Sequence, residues 1–340
     1  MKIIIEIPHP ARVHLFRNLY FKLIKENNEV IILYKDKEQT RSLLNIYKIP
    51  GIKIGSNKKG FLSKLIGLCF EFFNVFKISY SFKPDLFLGG ASPVIGLCSF
   101  IFRSKYISFS DTEHAKLTWF LSKIFIDIII TPKCFLKNLG DKHIRIDGYK
   151  ELAYLYPKYF KPDTSVLKDL NLSKNDKIII LRFISWEAIH DIGHNGFSNN
   201  NKYEAVKILS KYGKVFISSE SRLPKDLEEL RLNISPEKIH SLIYFSSLFF
   251  GESGTMATEA AILGTPSVRV SSLSKLLGNF KELNEKYGLI YYYDNFQDGL
   301  NKSINILKYK NSKITWIKKS NELINDKIDV TDFIFNKIIE

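Results

Sequence analysis

Cysteine is scarce in this chain of 340 residues, and the three that it has, Cys69, Cys98 and Cys134, lie far apart. Their odd number and wide spacing exclude a disulfide framework and give no short Cys–Cys pair typical of a zinc site. The chain also lacks low-complexity segments and any short fixed repeat, which excludes a solenoid. These absences indicate an ordinary globular protein with buried thiols.

Long hydrophobic runs are also missing, with one exception at residues 86–102, LFLGGASPVIGLCSFIF. This run reaches only the lower limit for a membrane span. Because the segment GGASP interrupts it, we predict a strand, a tight turn and the start of a helix. The apolar stretch at 2–7 contains Glu6 and is too short for a signal peptide. We therefore expect a cytoplasmic protein, with any membrane contact peripheral at the inner face.

Acidic residues are few relative to basic ones: 35 Asp and Glu stand against 50 Lys and Arg, a formal net charge of +15. Such an excess favours an anionic partner, either nucleotide phosphates, acidic lipid or nucleic acid. Lysines are scattered over the predicted helix faces and no nucleic-acid-binding motif is present, which argues against nucleic acid. Part of the basicity also fits a compositional bias, because Lys greatly outnumbers Arg.

Short apolar runs alternate with helical patterns along both halves of the chain. The predicted strands lie at 2–7, 29–34, 85–90, 105–110, 127–131, 176–183, 214–218, 248–253, 266–270 and 289–293. Runs that do not alternate with polar residues are typical of parallel sheets covered on both faces. Helices are predicted between the strands, including 13–26, 202–212 and 235–247, the last capped by Ser235.

This alternation predicts an α/β protein with two Rossmann-like, doubly wound domains facing a cleft. The periodicity breaks near residues 150–165. We therefore predict an N-terminal domain over 1–150 and a C-terminal domain over 151–318. The helical segment 319–340 has no strand to follow, and we expect it to pack back toward the N-terminal domain.

The stretch GESGTMATEAAILGTP, residues 251–266, follows a predicted strand and begins a predicted helix. Backbone N–H groups at a helix entry lack intrahelical partners, and the helix dipole adds positive charge, so Ser253, Gly254 and Thr255 suit a diphosphate. Glu259 lies one turn deeper, where its carboxylate could accept both hydroxyls of a ribose. The alternative is that Ser253 and Thr255 only cap the helix and Glu259 offsets its dipole.

The same stretch resembles the nucleotide-binding signature of GT-B-fold enzymes, which include nucleotide-sugar glycosyltransferases and UDP-N-acetylglucosamine 2-epimerase. More narrowly, the whole chain resembles the domain-of-unknown-function 354 family. The similar segments, in family order, are HPARVHLFRNL (9–19), GGASPV (89–94), SDTEHA (110–115), DGYKELAYL (147–155), ILRFISWEAIHD (180–191) and residues 251–266. The resemblance implies a GT-B fold with the nucleotide held mainly by the C-terminal domain.

We therefore expect a metal-independent glycosyltransferase that moves a sugar from a nucleoside diphosphate, with UDP the expected nucleotide, onto a saccharide or lipid-linked saccharide of a surface glycan. The alternatives are a nucleotide-sugar 2-epimerase and a non-catalytic subunit that binds nucleotide or glycan. The scheme uses no cofactor beyond the nucleotide sugar, because the helix dipole and an arginine balance the phosphate charge.

The N-terminal half offers candidate catalytic residues in two loops after predicted strands. His14 is a candidate general base, because an imidazole titrates near neutrality. The resemblance supports this role, since GT-B relatives place a histidine of a similar loop near the reaction centre. His9 is a candidate substrate contact. Asp111 and Glu113 could hold sugar hydroxyls, or one could act as a base with its pKa raised by the other. The alternatives are cap or packing roles for the histidines and a capping box for the acids.

Further candidates for substrate contact are His114, beside the acids, and Ser92, in the turn GGASPV. Arg182 emerges at a strand end, where it could neutralise a diphosphate leaving group, although a surface ion pair is the alternative. His190 is expected to line the cleft rather than to bind zinc with His194, since no third ligand is evident. The segment 61–80, FLSKLIGLCFEFFNVFKISY, is apolar nearly all round, which indicates either a buried helix or a surface that touches lipid.

Overall fold

A computed structural model of the protein describes residues 1–37, 39–56, 61–113, 116–184, 197–271 and 277–340, without the side chains at 61, 62, 64, 65 and 116. The described residues form two compact units. Unit 1 comprises Met1–Tyr154 and Ile328–Glu340, and unit 2 comprises Leu155–Lys327.

Unit 1 is built on a parallel sheet of seven strands in the order β3-β2-β1-β4-β5-β6-β7. Because the order runs one way from β1 to β3 and the other way from β4 to β7, right-handed crossovers place helices on both faces. The strands are β1 (Lys2–Ile7), β2 (Glu29–Asp36), β3 (Gly51–Ser56), β4 (Leu86–Gly89), β5 (Lys105–Phe109), β6 (Ile128–Pro132) and β7 (His143–Ile146).

The first six helices follow this chain order: α1 (Pro10–Lys25), α2 (Thr40–Ile46), α3 (Phe61–Phe82), α4 (Pro93–Phe102), α5 (Lys116–Ser122) and α6 (Leu152–Leu155), with a short 3-10 helix at Lys123–Phe125. Helices α3, α4 and α5 share one core with the sheet, in which Val75, Ile95 and Trp119 pack with Phe87 and other strand residues. The run at 86–102 consists of β4, a turn and the whole of α4, which confirms the predicted strand, turn and helix start. None of the helices in the described part of the chain is long and apolar enough to cross a membrane.

Unit 2 contains a five-stranded parallel sheet in the order β12-β11-β10-β8-β9. The strands are β8 (Ile178–Phe183), β9 (Lys214–Ser219), β10 (Leu248–Gly251), β11 (Ser267–Val270) and β12 (Ile290–Tyr293). The helices are α7 (Ser165–Asp169), α8 (Asn199–Leu209), α9 (Lys225–Glu228), α10 (Ile239–Phe245), α11 (Gly254–Ile262), α12 (Gly278–Glu285), α13 (Phe296–Lys308) and α14 (Ser312–Asp326). Two parallel sheets covered by helices confirm the predicted α/β class.

The last helix, α15 (Val330–Ile339), belongs to unit 1. The backbone N–H of Ile328 donates to the carbonyl of Asp147 at 2.9 Å, and the hydroxyl of Thr331 donates to the carbonyl of Ala153 at 2.9 Å. Asp332 forms an ion pair with Lys22 of α1, with 2.6 Å between carboxylate and ammonium. Unit 1 is therefore assembled from two separate parts of the chain.

Ser235 occupies the N-cap position before Pro236, as predicted, but its side chain does not cap the helix. The segment begins with a 3-10 helix at Pro236–Lys238 before α10 starts, and the Ser235 side chain makes no capping hydrogen bond. Its hydroxyl donates instead to the carboxylate of Glu237.

Candidate functional site

The stretch 251–266 forms the strand, loop and helix that its sequence predicts. Ser253 is the N-cap of α11, and its hydroxyl oxygen accepts a hydrogen bond from the N–H of Met256 at 3.4 Å. Ser253, Gly254 and Thr255 are half-buried, so this helix entry is reachable from solvent. The first N–H groups of a helix have no intrahelical acceptor, and the helix dipole makes them an anion-binding site.

A buried arginine that the sequence analysis did not select lies at this helix entry. Arg269 of β11 donates from Nε to the carbonyl of Glu252 at 3.0 Å and from Nη2 to the hydroxyl of Ser271 at 3.3 Å. A side chain at Gly254 would begin 3.5 Å from its guanidinium carbon. Burial lowers the pKa of Arg269 to about 10, against the opposing effect of Glu252, so the group remains charged at neutral pH. The entry of α11 therefore has an arginine cation beside it in addition to the helix dipole, with the carboxylate of Glu252 nearby.

Glu252, next to this entry in the sequence, joins Ile184 and Phe197 through its carboxylate. One carboxylate oxygen of this buried residue accepts from the N–H of Phe197 at 2.7 Å, and the other accepts from the N–H of Ile184 at 3.1 Å. The residues between them, 185–196, include His190, which lies outside the described residues. The carboxylate thus holds Ile184 and Phe197 close to each other.

Glu259 lies one turn into α11 and is buried. Its Oε1 atom is 3.0 Å from Nε2 of His240, a buried residue of α10 that the sequence analysis did not select. The ring of Phe160 packs edge-on against the imidazole, with 6.5 Å between ring centroids. The expected contact of Glu259 with a ribose stays a prediction, and the structure adds an imidazole to the same position.

Arg182 lies near the end of β8 and is engaged by two side chains from the end of β9. Its Nη1 donates to the hydroxyl of Ser218 at 2.9 Å, and its Nη2 forms an ion pair with Glu220. Its Nε is buried and has no hydrogen-bond partner among the described residues. The ion pair that the sequence left as the alternative is present, and a phosphate contact stays a prediction.

In unit 1, Ser92 belongs to a buried network at the carboxyl ends of β1, β4 and β5. It is the N-cap of α4, and its hydroxyl donates to Glu6 at 3.0 Å. Its N–H donates to the hydroxyl of Tyr106 at 3.1 Å, and that hydroxyl donates to the carbonyl of Gly90. Burial raises the pKa of Glu6, against the effects of Lys35 and Ser92.

Asp111 sits in a cluster of alternating charges at the same edge. Its Oδ2 atom lies 2.6 Å from the ammonium of Lys150, which is 3.5 Å from the carboxylate of Glu151. Arg12 donates to the carbonyl of Phe109 at 2.6 Å. Burial alone would raise the pKa of Asp111, but Lys150 and Arg12 outweigh it and lower the pKa. The suggestion that a neighbouring acid raises this pKa is therefore wrong.

Glu113 contacts the loop that follows β6. Its buried carboxylate accepts from the N–H of Leu136 at 2.7 Å, and its carbonyl accepts from the ammonium of Lys137 at 2.7 Å. It supports the loop after β6 with these contacts. His114 lies outside the described residues.

The two histidines of the first loop occupy different positions. His9 is the N-cap of α1, and its Nδ1 accepts from the N–H of Ala11 at 3.2 Å. His14 is buried, with Nδ1 3.4 Å from the hydroxyl of Tyr47 and its ring centroid 5.3 Å from that of Tyr154. The cap and packing roles that the sequence left open are thus present.

Comparison with known proteins agrees with the fold. The family model described as "Protein of unknown function (DUF354)" matches residues 1–340. An uncharacterized protein of Methanocaldococcus jannaschii is 28% identical over 306 residues, covering 85% of this chain and 87% of that protein.

Groups of three or more His, Cys, Asp or Glu side chains that could hold a metal ion are not found within the described ranges.

Two solved structures share the architecture over their full lengths. The UDP-GlcNAc 2-epimerase of Neisseria meningitidis, bound to UDP-GlcNAc, superposes with a TM-score of 0.74 at 13% identity, with 100% of each chain covered. The glycosyltransferase SsfS6 of Streptomyces sp. SF2575 gives a TM-score of 0.61 at 12% identity, again covering 100% of each chain. The predicted GT-B fold is confirmed.

Proposed function

The chain belongs to the DUF354 family of proteins of unknown function, and we propose that it is a nucleotide-sugar-dependent glycosyltransferase acting in the synthesis of a surface glycan. The observation that carries the proposal is the entry of α11, where an N-capping serine, a glycine and a buried arginine meet. Fixed N–H donors beside a permanent cation suit the pyrophosphate of a sugar nucleotide.

Unit 2 binds the donor in this proposal. Backbone N–H groups and the hydroxyls of Ser253 and Thr255 hold the diphosphate, and Gly254 leaves room for it to approach the backbone. Arg269 of β11 adds its positive charge beside Gly254. The ribose hydroxyls bind the Glu259–His240 pair, since a carboxylate accepts hydrogen bonds and an imidazole can donate or accept one. The UDP-sugar enzyme among the structural neighbours makes UDP the first nucleotide to test.

Transfer breaks the bond between the anomeric carbon and the diphosphate oxygen and forms a bond from that carbon to the acceptor oxygen, whose proton passes to a base. The negative charge that develops on the leaving diphosphate is stabilised by the α11 entry and Arg269, and by Arg182 if it exchanges Glu220 for phosphate. We assign the base to unit 1, with His14 first because an imidazole titrates near neutrality. With its lowered pKa, Asp111 suits a hydrogen-bond acceptor for sugar hydroxyls.

A thermal-shift panel with UDP, GDP, CMP, ADP and dTDP sugars tests the donor site. A ligand that binds only the folded state at a hundred times its Kd stabilises by about 2.7 kcal/mol, so the true donor should raise the melting temperature clearly. The proposal fails if every nucleotide leaves the melting temperature unchanged. His14→Gln should keep the donor shift and lose transfer, whereas an unchanged cellular function would indicate a non-catalytic binding subunit.

A 2-epimerase acting on a nucleotide sugar is the second candidate. It is favoured by the larger TM-score to the Neisseria epimerase, 0.74, than to the Streptomyces transferase, 0.61. The two reactions share the donor site and differ in the need for an acceptor. Incubation with UDP-GlcNAc alone separates them. An epimerised sugar formed without acceptor would contradict the transferase proposal and support the epimerase.

A further inference from the structure

The layer formed by α3, α4, α5 and the 3-10 helix Lys123–Phe125 is apolar on both of its sides. Its inner side packs against the sheet through Val75, Ile95 and Trp119. A helix layer on a sheet needs only one apolar side, and the other side is normally polar. The sequence left open whether α3 is buried or touches lipid, and the structure gives this layer a second apolar side that the fold of unit 1 does not use.

The second side exposes large side chains from all four helices. Phe73 is 65% exposed, Phe100 69%, Phe120 78% and Ile124 71%. Together with further exposed residues they form what we call the outer apolar face. Its described members are Ile66, Leu68, Phe70, Phe73, Tyr80, Leu97, Phe100, Ile101, Leu117, Phe120, Leu121 and Ile124.

The helices that carry this face are in direct contact, so the exposed side chains form one patch. Rings of Phe76 and Phe102 join α3 to α4 with 5.2 Å between centroids, and rings of Phe100 and Phe125 join α4 to the 3-10 helix with 5.9 Å. A Cβ at Gly96 would lie 2.9 Å from the Cβ of Phe125, so this close approach requires a glycine. A contiguous apolar patch of this size on a protein surface indicates an interaction site.

Charge around the patch is mainly positive, although two exposed acids, Asp85 and Asp127, lie at its edge. The single acid in the four helices is Glu71, which is buried and paired with Lys35 at 2.7 Å. The exposed basic side chains show no ion pair to any carboxylate in the described part of the chain. We call five of these exposed residues the basic band: Lys77, Lys83, Arg103, Lys105 and Lys123. All but Lys77, which lies within α3, are close to the amino edge of β4, β5 and β6.

A groove marks the boundary between the two features. It has a volume of about 660 Å³, and its lining includes the apolar Phe100 and Ile124, the basic Arg103 and Lys105, and one acid, Asp127. Apolar and cationic side chains therefore meet in one place, as the acyl chains and anionic headgroups of a lipid surface do.

We propose that the outer apolar face and the basic band dock unit 1 onto an anionic membrane surface. The aromatic side chains enter the boundary between headgroups and acyl chains, and the basic band binds the headgroups. A second copy of the chain is a poorer occupant. Symmetric docking through the same face would bring two bands of net positive charge together, since Asp85 and Asp127 only partly offset the five basic side chains.

Vesicle co-sedimentation tests the proposal with the full chain. The protein should pellet with phosphatidylcholine vesicles that contain phosphatidylglycerol, remain in solution with phosphatidylcholine alone, and be released by added salt. Each basic residue near the surface strengthens binding on the order of fivefold, so Arg103→Glu with Lys105→Glu should weaken it by at least about tenfold. Phe100→Ser with Phe120→Ser should weaken it similarly.

Matched controls change equally exposed residues of unit 2. Ile314, 71% exposed, is replaced by Ser, and the exposed Lys207 and Lys211 are replaced by Glu. These variants should bind like the unmodified protein, and all variants should keep its melting temperature. The proposal is overturned if the unmodified protein does not pellet with anionic vesicles or if the controls weaken binding as much. It is also overturned if sedimentation shows a stable dimer that the phenylalanine variant dissociates, which would assign the face to a second copy.

Discussion

The imidazole of His240 lies 3.0 Å from the carboxylate of Glu259, and both side chains are buried in unit 2. A buried carboxylate without a polar neighbour is costly, so the histidine on α10 makes an acid inside α11 tolerable. The same pair holds α10 to α11. It therefore connects the stability of unit 2 to the position where we place the ribose.

Removing the imidazole should destabilise the protein. His240→Ala is expected to lower the free energy of unfolding by about 1–3 kcal/mol, because it takes a polar partner from a buried carboxylate. Glu259→Gln keeps an acceptor oxygen for the imidazole and should cost less, yet it should weaken nucleotide binding. Urea unfolding and nucleotide-induced melting shifts check both. A stability of His240→Ala equal to that of the unmodified protein would contradict the structural role of the pair.

Gly254 and Arg269 give a test of the diphosphate site that separates binding from folding. A methyl group at Gly254 would meet Phe280 at 3.4 Å and Arg269 at 3.5 Å, which are ordinary contacts, so Gly254→Ala should fold normally. It should nevertheless block close approach of a phosphate. Arg269→Met should raise the Kd for nucleotide about tenfold or more, the effect of one lost charge-assisted hydrogen bond.

Calorimetric titration of both variants with UDP and with the nucleotide that gives the largest thermal shift measures this effect. Arg222→Met, which changes an exposed arginine of unit 2, is the matched control and should bind normally. An unchanged nucleotide affinity in both Gly254→Ala and Arg269→Met would contradict a diphosphate site at the α11 entry.

Glu252 should control how well the ends of the segment 185–196 are held. Glu252→Gln keeps one acceptor oxygen but turns an N–H donor toward one of the two backbone N–H groups. Amide hydrogen exchange should therefore speed up at Ile184 or Phe197, and the free energy of unfolding should fall by about 1–3 kcal/mol. Glu229→Gln, at an exposed site, should change neither quantity. Unchanged amide exchange at both Ile184 and Phe197 in Glu252→Gln would show that other contacts hold these two residues together.

The Asp111–Lys150 pair should make the stability of unit 1 depend on pH in the acid range. The pKa of Asp111 is lowered in the folded protein because Lys150 and Arg12 outweigh the effect of burial. A group of this kind stabilises the fold above its unfolded pKa, about 3.9 for Asp, and loses that contribution as pH falls through the folded value. Asp111→Asn should cost about 3 kcal/mol near neutrality, since it leaves Lys150 without its nearest carboxylate.

Urea unfolding between neutral pH and pH of about 3 measures this effect. The difference between the unmodified protein and Asp111→Asn should be largest near neutrality and should shrink below pH of about 4. Asp141→Asn, at an exposed position, should show a small difference throughout. A difference for Asp111→Asn that grows toward acid pH would contradict the lowered pKa.

Central strands could be predicted from the sequence because they are buried on both sides and read as apolar runs. The strands β1, β4 and β10 illustrate this, since nearly all of their residues are buried. The edge strands β3 and β7 were not predicted, because most of their residues are exposed or half-buried and no apolar run forms. The start of α8 was predicted three residues late, since the capping box at Ser198 begins the helix within a polar run.

The α11 entry could be predicted because its serine, glycine and threonine are consecutive in the sequence. Arg269 could not, because it reaches the entry through strand pairing, in which it stands opposite Gly251. Its one visible signal is a charged residue inside an otherwise apolar buried strand. The pairing of Asp111 with Lys150 likewise joins residues 39 positions apart, and spacing gives no information on such contacts.

The placement of α15 has a consequence for biosynthesis. Residues 328–340 complete unit 1, yet the ribosome makes them only after the whole of Leu155–Lys327 has been translated. At typical ribosomal elongation rates this interval lasts on the order of ten seconds. During that time Lys22 of α1 lacks its contacts with Asp332 and Phe335. The five strands of unit 2 have all been synthesised by then. The nascent chain can therefore finish folding its second unit before its first.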